Sequence, residues 1–347
     1  MVSASIVGAG SAVPREMDQA GLWNDFFRRH YNGSRLAERV WASSGITTRH
    51  GVVDPRVEDV SGWSTETRMR RFLTEAMPLA VEAVEAALKD ASLTAGEVDL
   101  LTVVSCTGYA TPGLDILLAR DLGMPASVQR LNIGHMGCYA ALPGLATASD
   151  ATAARGLTTV MLCLELPSLH VQPACDEPQQ MVAHSLFSDA AAAVVLAPGA
   201  PGLEVLHTVA RTDVGNADHM TWDITDLGFK MGLSPKVPAV LALHVRDVVE
   251  ELLTSEGLTI EDVHGWAVHP GGPRILDVCE ERLGLDPTQL AASRRTLRDY
   301  GNCSSGTVLL ALADLQATSP PPPGAHIVML AFGPGLTLYG SLLRATC

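Results

Sequence analysis

The stretch Gly265-Trp266-Ala267-Val268-His269-Pro270-Gly271-Gly272-Pro273-Arg274-Ile275-Leu276 changes its pattern halfway along. Gly265 to His269 reads as a buried strand, the Pro-Gly-Gly-Pro run as a tight loop, and Arg274 to Leu283 as a helix. Strand, loop and helix in that order form the repeating unit of an α/β fold. The loop leaves the His269 ring at the mouth of a sheet, the edge where such folds bind ligands. The same rhythm continues outward. A strand at Leu203 to Arg211 and a helix at Val237 to Ser255 precede the stretch, and a helix at Ser304 to Ala317 and a strand at Ile327 to Phe332 follow it.

The first half carries the rhythm as well. Ser3 to Gly8 reads as a strand entering a loop, and Arg71 to Ala91 places Leu73, Met77, Ala80, Val84 and Leu88 at helical spacing. Val98 to Ser105 is a buried strand that feeds the turn-rich loop Cys106 to Gly113 and a helix from Leu114 to Leu122. An Ala-rich helix follows Cys138 to Ala154, with strands at Thr158 to Leu164 and Ala190 to Leu196. Pro198-Gly-Ala-Pro-Gly202 then punctuates the chain. Two similar halves, 1–200 and 201–347, point to a pseudo-duplicated α/β fold, although no residue-level repeat is visible. Pro320 to Pro323 reads as a stiff exposed connector.

A 347-residue chain that is 47% hydrophobic can bury a large core. Its 24 Lys and Arg against 38 Asp and Glu give a net charge of −14, which argues against a nucleic-acid surface, since phosphate neutralisation needs clustered cations. Seven cysteines without CxxC spacing fit neither a disulfide framework nor a metal site, so they read as free thiols in a reducing compartment. The apolar N-terminus lacks basic residues and is broken by Gly8, Gly10 and Pro14, unlike a signal peptide. No apolar run is long enough to span a membrane. The expectation is a cytoplasmic protein. Gly8-Ala-Gly10-Ser-Ala-Val-Pro14 has a dinucleotide-loop look, but Pro14 stands where a third glycine is required.

Three residues carry chemistry. Cys138 follows Met136-Gly137 and precedes the Ala-rich helix, where a helix N-terminus favours a thiolate, the nucleophilic form of cysteine. Gly137 would let the backbone approach an incoming thioester. His269 stands at the strand end, and Asn302 follows Tyr300-Gly301, where it could donate a hydrogen bond or cap a helix. His269 and Asn302 together could form a pair of donors to an oxyanion.

These residues sit in segments that resemble the type III polyketide synthases of the thiolase superfamily: Met136-Gly-Cys138, Trp266 to Asp277, Leu297-Arg-Asp-Tyr-Gly-Asn302-Cys-Ser-Ser305 and Ala331-Phe-Gly-Pro-Gly-Leu-Thr337, with Ser185 to Ala192 as a fifth match. The likeness runs from about residue 70 to the end and is weaker before residue 60. It implies a thiolase-like, five-layered αβαβα fold, a Cys138, His269 and Asn302 catalytic triad, coenzyme A thioester substrates, no metal or redox cofactor, and a homodimer. On that reading Cys138 takes an acyl group from acyl-CoA, malonyl-CoA loses carbon dioxide, and the resulting enolate, held by His269 and Asn302, attacks the bound acyl carbonyl.

Further roles follow from the resemblance alone. Phe187 matches a gatekeeper phenylalanine, and Met231 stands where a second gatekeeper is usually phenylalanine; methionine there would admit flexible alkyl chains. Trp222 replaces a small glycine of the plant enzymes and would fill part of the cavity. Those two changes pull in different directions. Cys106 and Thr107 match the initiation-pocket loop, Gly271 and Gly272 flank the site, and Thr111 matches a residue that reaches across the dimer. Of the basic clamp on coenzyme A phosphates only Arg39 is kept, with Leu36 and Ser43 at the other positions, and Arg274 could supply some of that charge. An acyl carrier protein remains an alternative partner, with Arg28, Arg29, Arg68, Arg70 and Arg71 as contacts. A single-condensation β-ketoacyl synthase III-like enzyme is the alternative function. A papain-like hydrolase, which shares the Cys, His, Asn order, lacks its nucleophile signature here.

Overall fold

A computed structural model describes residues 2–347. The N-terminal half contributes strands β1 (Ala4–Ala12), β4 (Leu100–Ser105), β5 (Gln129–Gly134), β6 (Thr159–Glu165) and β7 (Ala190–Pro198). Between β1 and β4 lie a small ribbon of β2 (Glu16–Asp18) and β3 (Thr48–His50) and the short helices α1 (Gln19–Leu22), α2 (Arg28–His30) and α3 (Arg35–Ala42). The C-terminal half contributes β8 (Leu203–Thr212), a separate hairpin of β9 (Met220–Thr225) and β10 (Gly228–Leu233), then β11 (Val263–Val268), β12 (His326–Gly333) and β13 (Thr337–Ala345).

The nine larger strands join in the order β11-β12-β13-β8-β1-β7-β6-β4-β5. Read outward from the central β1–β8 contact, each half repeats the other. β1 and β8 each pair antiparallel with the last strand of their half, β7 or β13. That strand pairs antiparallel with β6 or β12, which lies parallel to β4 or β11. The duplication absent from the residues is therefore plain in the topology. Only β5, parallel to β4 at the outer edge, has no counterpart.

The layers follow from the apolar clusters. Helices α4 (Thr65–Asp90) and α5 (Leu114–Asp121) cover one outer face, where Phe72, Ala80, Val84 and Leu118 are buried against β4, β6 and β7. Helices α8 (Val237–Thr254) and α9 (Pro273–Leu283) cover the other through Val245, Val249 and Leu276. Between the two halves of this sheet lie α6 (Ala141–Arg155) and α11 (Thr307–Thr318), whose Leu142, Leu145, Val308 and Leu312 share one core. Helix α11 is buried all round over residues 307–312 and reaches the surface at its C-terminal end, where Asp314 pairs with Arg295. This is the expected αβαβα, thiolase-like arrangement.

Two local differences have clear causes. β1 runs on to Ala12 rather than stopping at Gly8, because its glycines make room for α4: a Cβ at Gly8 or Gly10 would lie 2.5 or 2.4 Å from the carbonyl of Ala87 or Ala83. The glycine pair thus serves helix–strand packing. Helix α4 begins at Thr65, capped by the Ser64 side chain, and accommodates Pro78.

Candidate active site

Cys138 occupies the turn that leads into α6 and is 5% exposed. Gly137 before it has φ +83°, and a Cβ there would meet Pro334 Cδ at 2.5 Å. The glycine therefore lets the Gly333-Pro334-Gly335 loop seat against the nucleophile turn, which corrects the expectation that it admits the thioester. Tyr139 stacks on Tyr339 with centroids 5.4 Å apart, fixing the same turn to β13.

His269 leaves the end of β11, its N–H donating to Leu330 O at 2.7 Å, with its ring edge-on to Phe332. The ring is buried and Nδ1 has no hydrogen-bond partner among the described residues. Asn302 follows α10 (Ala291–Tyr300), with Gly301 at φ +74° making the turn. Its backbone bridges the segment after α7 (Pro178–Leu186): Asn302 N donates to Leu186 O and Ser188 N to Asn302 O, both at 2.9 Å. The side-chain oxygen accepts from Ser304 N at 2.9 Å, closing a turn ahead of the short helix Ser304–Gly306, whose N-cap is Cys303 and not Asn302 as the capping reading had it. It also fixes the amide. With Oδ1 engaged, Nδ2 is the donor on the cavity wall, where it makes a long hydrogen bond to Gly271 O at 3.5 Å.

Cys138, His269 and Asn302 line one cavity of about 600 Å³ that runs from the nucleophile past Phe187 and Met231 to the surface. Burial pushes the Cys138 thiol up to about 12, with the Ser304 hydroxyl and Asn302 amide pulling against it and the Glu165 carboxyl adding to it. Burial also pushes His269 down to about 3. The helix N-terminus alone therefore does not set this thiol low, contrary to the sequence expectation. Buried as both are, neither group favours a lone charge, and the neutral imidazole lining the same cavity is the base available to take the thiol proton. Removing the imidazole takes away that base, while the Ser304 and Asn302 contacts to the thiol remain. His269→Ala should shift the pH profile of Cys138 alkylation by iodoacetamide to higher pH, and an unchanged profile would dissociate the two groups.

The tunnel narrows inward. Phe187 and Met231 line both the tunnel and the inner chambers, whereas Trp222 lines only the chambers. The chamber beside Cys138, bordered by Cys106, Thr107, Trp222 and Ser304, has only about 10 Å³ of free space. A deeper one behind Trp222 and Phe229 has about 50 Å³. Trp222 is pinned there by its Nε1–H, which donates to Cys106 O at 2.7 Å. Met231 is its cross-strand partner in the β9–β10 hairpin. Gly271 and Gly272 line the tunnel as expected.

The outer residues divide. Arg274 lines the tunnel mouth with a side chain 66% exposed, 3.9 Å from Asp277. Arg39 is exposed on α3 and its Nε donates to Arg35 O, while its neighbours Val40 and Ser43 line the tunnel. Arg39 is thus beside the mouth and not in its wall. Thr111 is exposed and outside these cavities. Arg28 and Arg29 are exposed, and Arg70 and Arg71 pair with Glu66 and with Glu58 and Glu75. Arg68 is not a surface residue: it is fully buried and donates to the carbonyls of Ser61, Trp63, Leu169 and Val171, so a carrier contact there is excluded.

Sequence reasoning missed the carboxyl behind the nucleophile. Glu165, fully buried at the end of β6, accepts from Thr107 Oγ1 at 2.8 Å, Cys106 N at 3.0 Å and Ser305 Oγ at 2.6 Å. Burial raises its pKa. The available signal was one charged residue closing an otherwise apolar strand. Cys106 Sγ lies 3.4 Å from this carboxyl, and its thiol is pushed far up by burial, so it is a poor rival to Cys138 as a thiolate.

Sequence comparison decides the family. The N-terminal domain of the chalcone and stilbene synthases matches residues 3–200, and the C-terminal domain of the same enzymes matches residues 206–347. The chain belongs to the chalcone and stilbene synthase family. Among relatives, the alpha-pyrone synthesis polyketide synthase-like Pks18 of Mycobacterium tuberculosis is 33% identical over 98% of this chain and 90% of its own. The 1,3,6,8-tetrahydroxynaphthalene synthase of Streptomyces peucetius is 34% identical over 89% and 83%. Among solved structures, the type III polyketide synthase domain of Steely1 from Dictyostelium superposes with TM-score 0.93 at 27% identity, covering 99% of this chain and 100% of that one. The tetrahydroxynaphthalene synthase of Streptomyces coelicolor gives 0.92 at 28%, covering 99% of each. This type III polyketide synthase is accordingly an acyltransferase that extends acyl thioesters by decarboxylative condensation with malonyl-CoA. No helix among the described residues is long and apolar enough to cross a membrane.

Proposed function

We propose that this synthase loads an acyl group from acyl-CoA onto Cys138, extends it with a small number of malonyl units, and releases a pyrone or phenolic product. The observation that carries the reading is the meeting of Cys138, His269 and Asn302 at the inner end of one apolar tunnel, with the Asn302 amide nitrogen facing the cavity. Proton transfer from Cys138 to His269 frees the thiolate, which attacks the acyl thioester and expels coenzyme A thiol. Malonyl-CoA then binds with its thioester carbonyl toward Asn302 Nδ2 and the His269 ring. Carbon dioxide departs and its bonding electrons become the enolate, whose oxygen the two donors stabilise. The enolate carbon attacks the Cys138 acyl carbonyl and expels the thiolate, leaving a β-ketoacyl-CoA ready for another round. These steps balance without a metal or redox cofactor, because decarboxylation supplies the electron pair. Exclusion of water matters, since a proton would quench the enolate.

The small inner chamber supports few extensions, with the starter chain held toward the tunnel. Incubation with labelled malonyl-CoA and a panel of acyl-CoAs tests this by counting incorporated units. Multiple units per product support a polyketide synthase, and a single unit throughout would favour the one-condensation alternative. Trp222→Gly removes the side chain that fills the chamber, so products longer by at least one malonyl unit are expected, with an unchanged product spectrum counting against the filling role.

The synthase would act in the cytoplasm, in keeping with free thiols at all seven cysteines. A homodimer, usual in this family, is supported by β5, an exposed edge strand with unpaired backbone groups, beside the exposed Tyr109 and Ile116. Thr111 would then sit near the partner. Coenzyme A is the favoured carrier over an acyl carrier protein, with Arg274 at the mouth and Arg39 beside it as phosphate contacts.

A further inference from the structure

The neck of the tunnel is made from two elements that share no sheet. One wall is α7, whose C-terminal residue Leu186 hands over to Phe187; the other is β10, which carries Met231. Helix α7 is a partition. Its Val182 and Leu186 line the tunnel, and Gln180 and Ala183, one turn apart in line with Phe187, line the deep chamber. Three contacts fasten the start of α7 to β10: Glu177 with Lys230 at 2.9 Å, Leu233 N donating to Gln179 Oε1 at 3.1 Å, and Gln180 Nε2 donating to Met231 O at 2.7 Å. The first two are on exposed side chains, where solvent competes. Gln180 is 1% exposed, so bulk solvent does not compete for its bond as it does for the other two.

We infer that Gln180 is a specificity-determining positioning residue, which sets the aperture between Phe187 and Met231 by fixing the Met231 backbone to the helix that ends at Phe187. The inference rests on the gate reading of Phe187 and Met231. Methionine by itself is a compliant gate, with several accessible rotamers. Discrimination at the neck therefore depends on how firmly its backbone is held. Loss of the amide leaves a buried carbonyl unpaired and frees β10 to shift away from α7, which widens the neck for long or bulky starters. The malonyl group is small enough to pass the neck either way.

The test compares the wild type with Gln180→Leu, Met231→Ala and the double variant, using hexanoyl-, lauroyl- and benzoyl-CoA as starters. Gln180→Leu should change the ratio of kcat/KM between lauroyl- and hexanoyl-CoA at least about threefold, through KM, while starter-independent malonyl-CoA decarboxylation stays within about twofold. Met231→Ala should shift the same ratio, and the double variant should match Met231→Ala alone, because position 180 acts only through 231. Wild-type selectivity in Gln180→Leu, together with a shift in Met231→Ala, overturns the inference and leaves the gate standing. Effects that multiply in the double variant overturn it equally. Wild-type selectivity in Met231→Ala overturns the gate reading and the inference with it. Should Gln180→Leu fail to fold, Gln180→Asn, which keeps the amide but shortens its reach, carries the same comparison.

Discussion

Asn302→Asp is expected to lower malonyl-CoA decarboxylation by about 10²–10³-fold, the usual effect of losing one oxyanion donor. The substitution is nearly isosteric, so it separates chemistry from packing. One carboxylate oxygen inherits the bond from Ser304 N at 2.9 Å, and the backbone bridge to Leu186 and Ser188 needs no side chain. The other oxygen replaces Nδ2 and puts negative charge where the enolate would form. Transfer of the starter acyl group to Cys138 should persist, since that step uses the thiol and His269. Release of labelled carbon dioxide from carboxyl-labelled malonyl-CoA measures the loss directly. A normal rate would remove Asn302 from the decarboxylating step.

Cys138→Ala should produce the complementary defect. Acyl transfer and polyketide formation are expected to fall at least about 10³-fold, because no other cysteine replaces this one as nucleophile. Cys106 is held 3.4 Å from the buried Glu165 carboxyl, which disfavours its thiolate. His269 and Asn302 are untouched, so the variant should still decarboxylate malonyl-CoA. The fold should survive, since a sulfur removed from a tightly held turn costs about 1 kcal/mol. Product formation at the wild-type rate would refute the nucleophile.

What the sequence made legible were the elements whose residues speak for themselves. Apolar runs such as Thr159–Glu165 and Ala190–Pro198, buried along nearly their whole length, and the periodic helices Pro273–Leu283 and Val237–Thr254 lie within a residue or two of expectation. β5 was not visible because Gln129-Arg130-Leu131-Asn132-Ile133-Gly134 is an exposed edge strand whose pairing with β4 supplies what its composition lacks. The β9–β10 hairpin was equally silent. It is held by side chains from elsewhere: Gln172 Nε2 donates to Phe229 O at 3.1 Å, His170 Nδ1 accepts from Phe229 N at 3.0 Å, and Gln180 grips Met231 O. Single polar residues scattered through the chain carry no pattern until the fold gathers them.

The site divides along the same line. Cys138, His269 and Asn302 were named from local motifs, and each sits where a strand or helix end places it. The electrostatics of Cys138 were misjudged because helix position is a local property, whereas burial and the Glu165 carboxyl are supplied by distant segments. Arg68 was read as a candidate carrier contact, yet the β9–β10 turn covers it: a Cβ at Gly228 would lie 2.5 Å from its Cδ. Which of Met231 and Trp222 dominates was undecidable from residue types. Their positions differ: Met231 lines the tunnel as well as the chambers, and Trp222 only the chambers.

The most direct test of the central claim is peptide-resolved mass spectrometry of the protein after brief incubation with an acyl-CoA starter, before and after malonyl-CoA is added. The expected result is a single acyl adduct on the peptide containing Cys138, which disappears when malonyl-CoA is supplied as an extended product forms. An adduct confined to Cys106 or another cysteine, or product formation with no adduct on Cys138 under any condition, would contradict it.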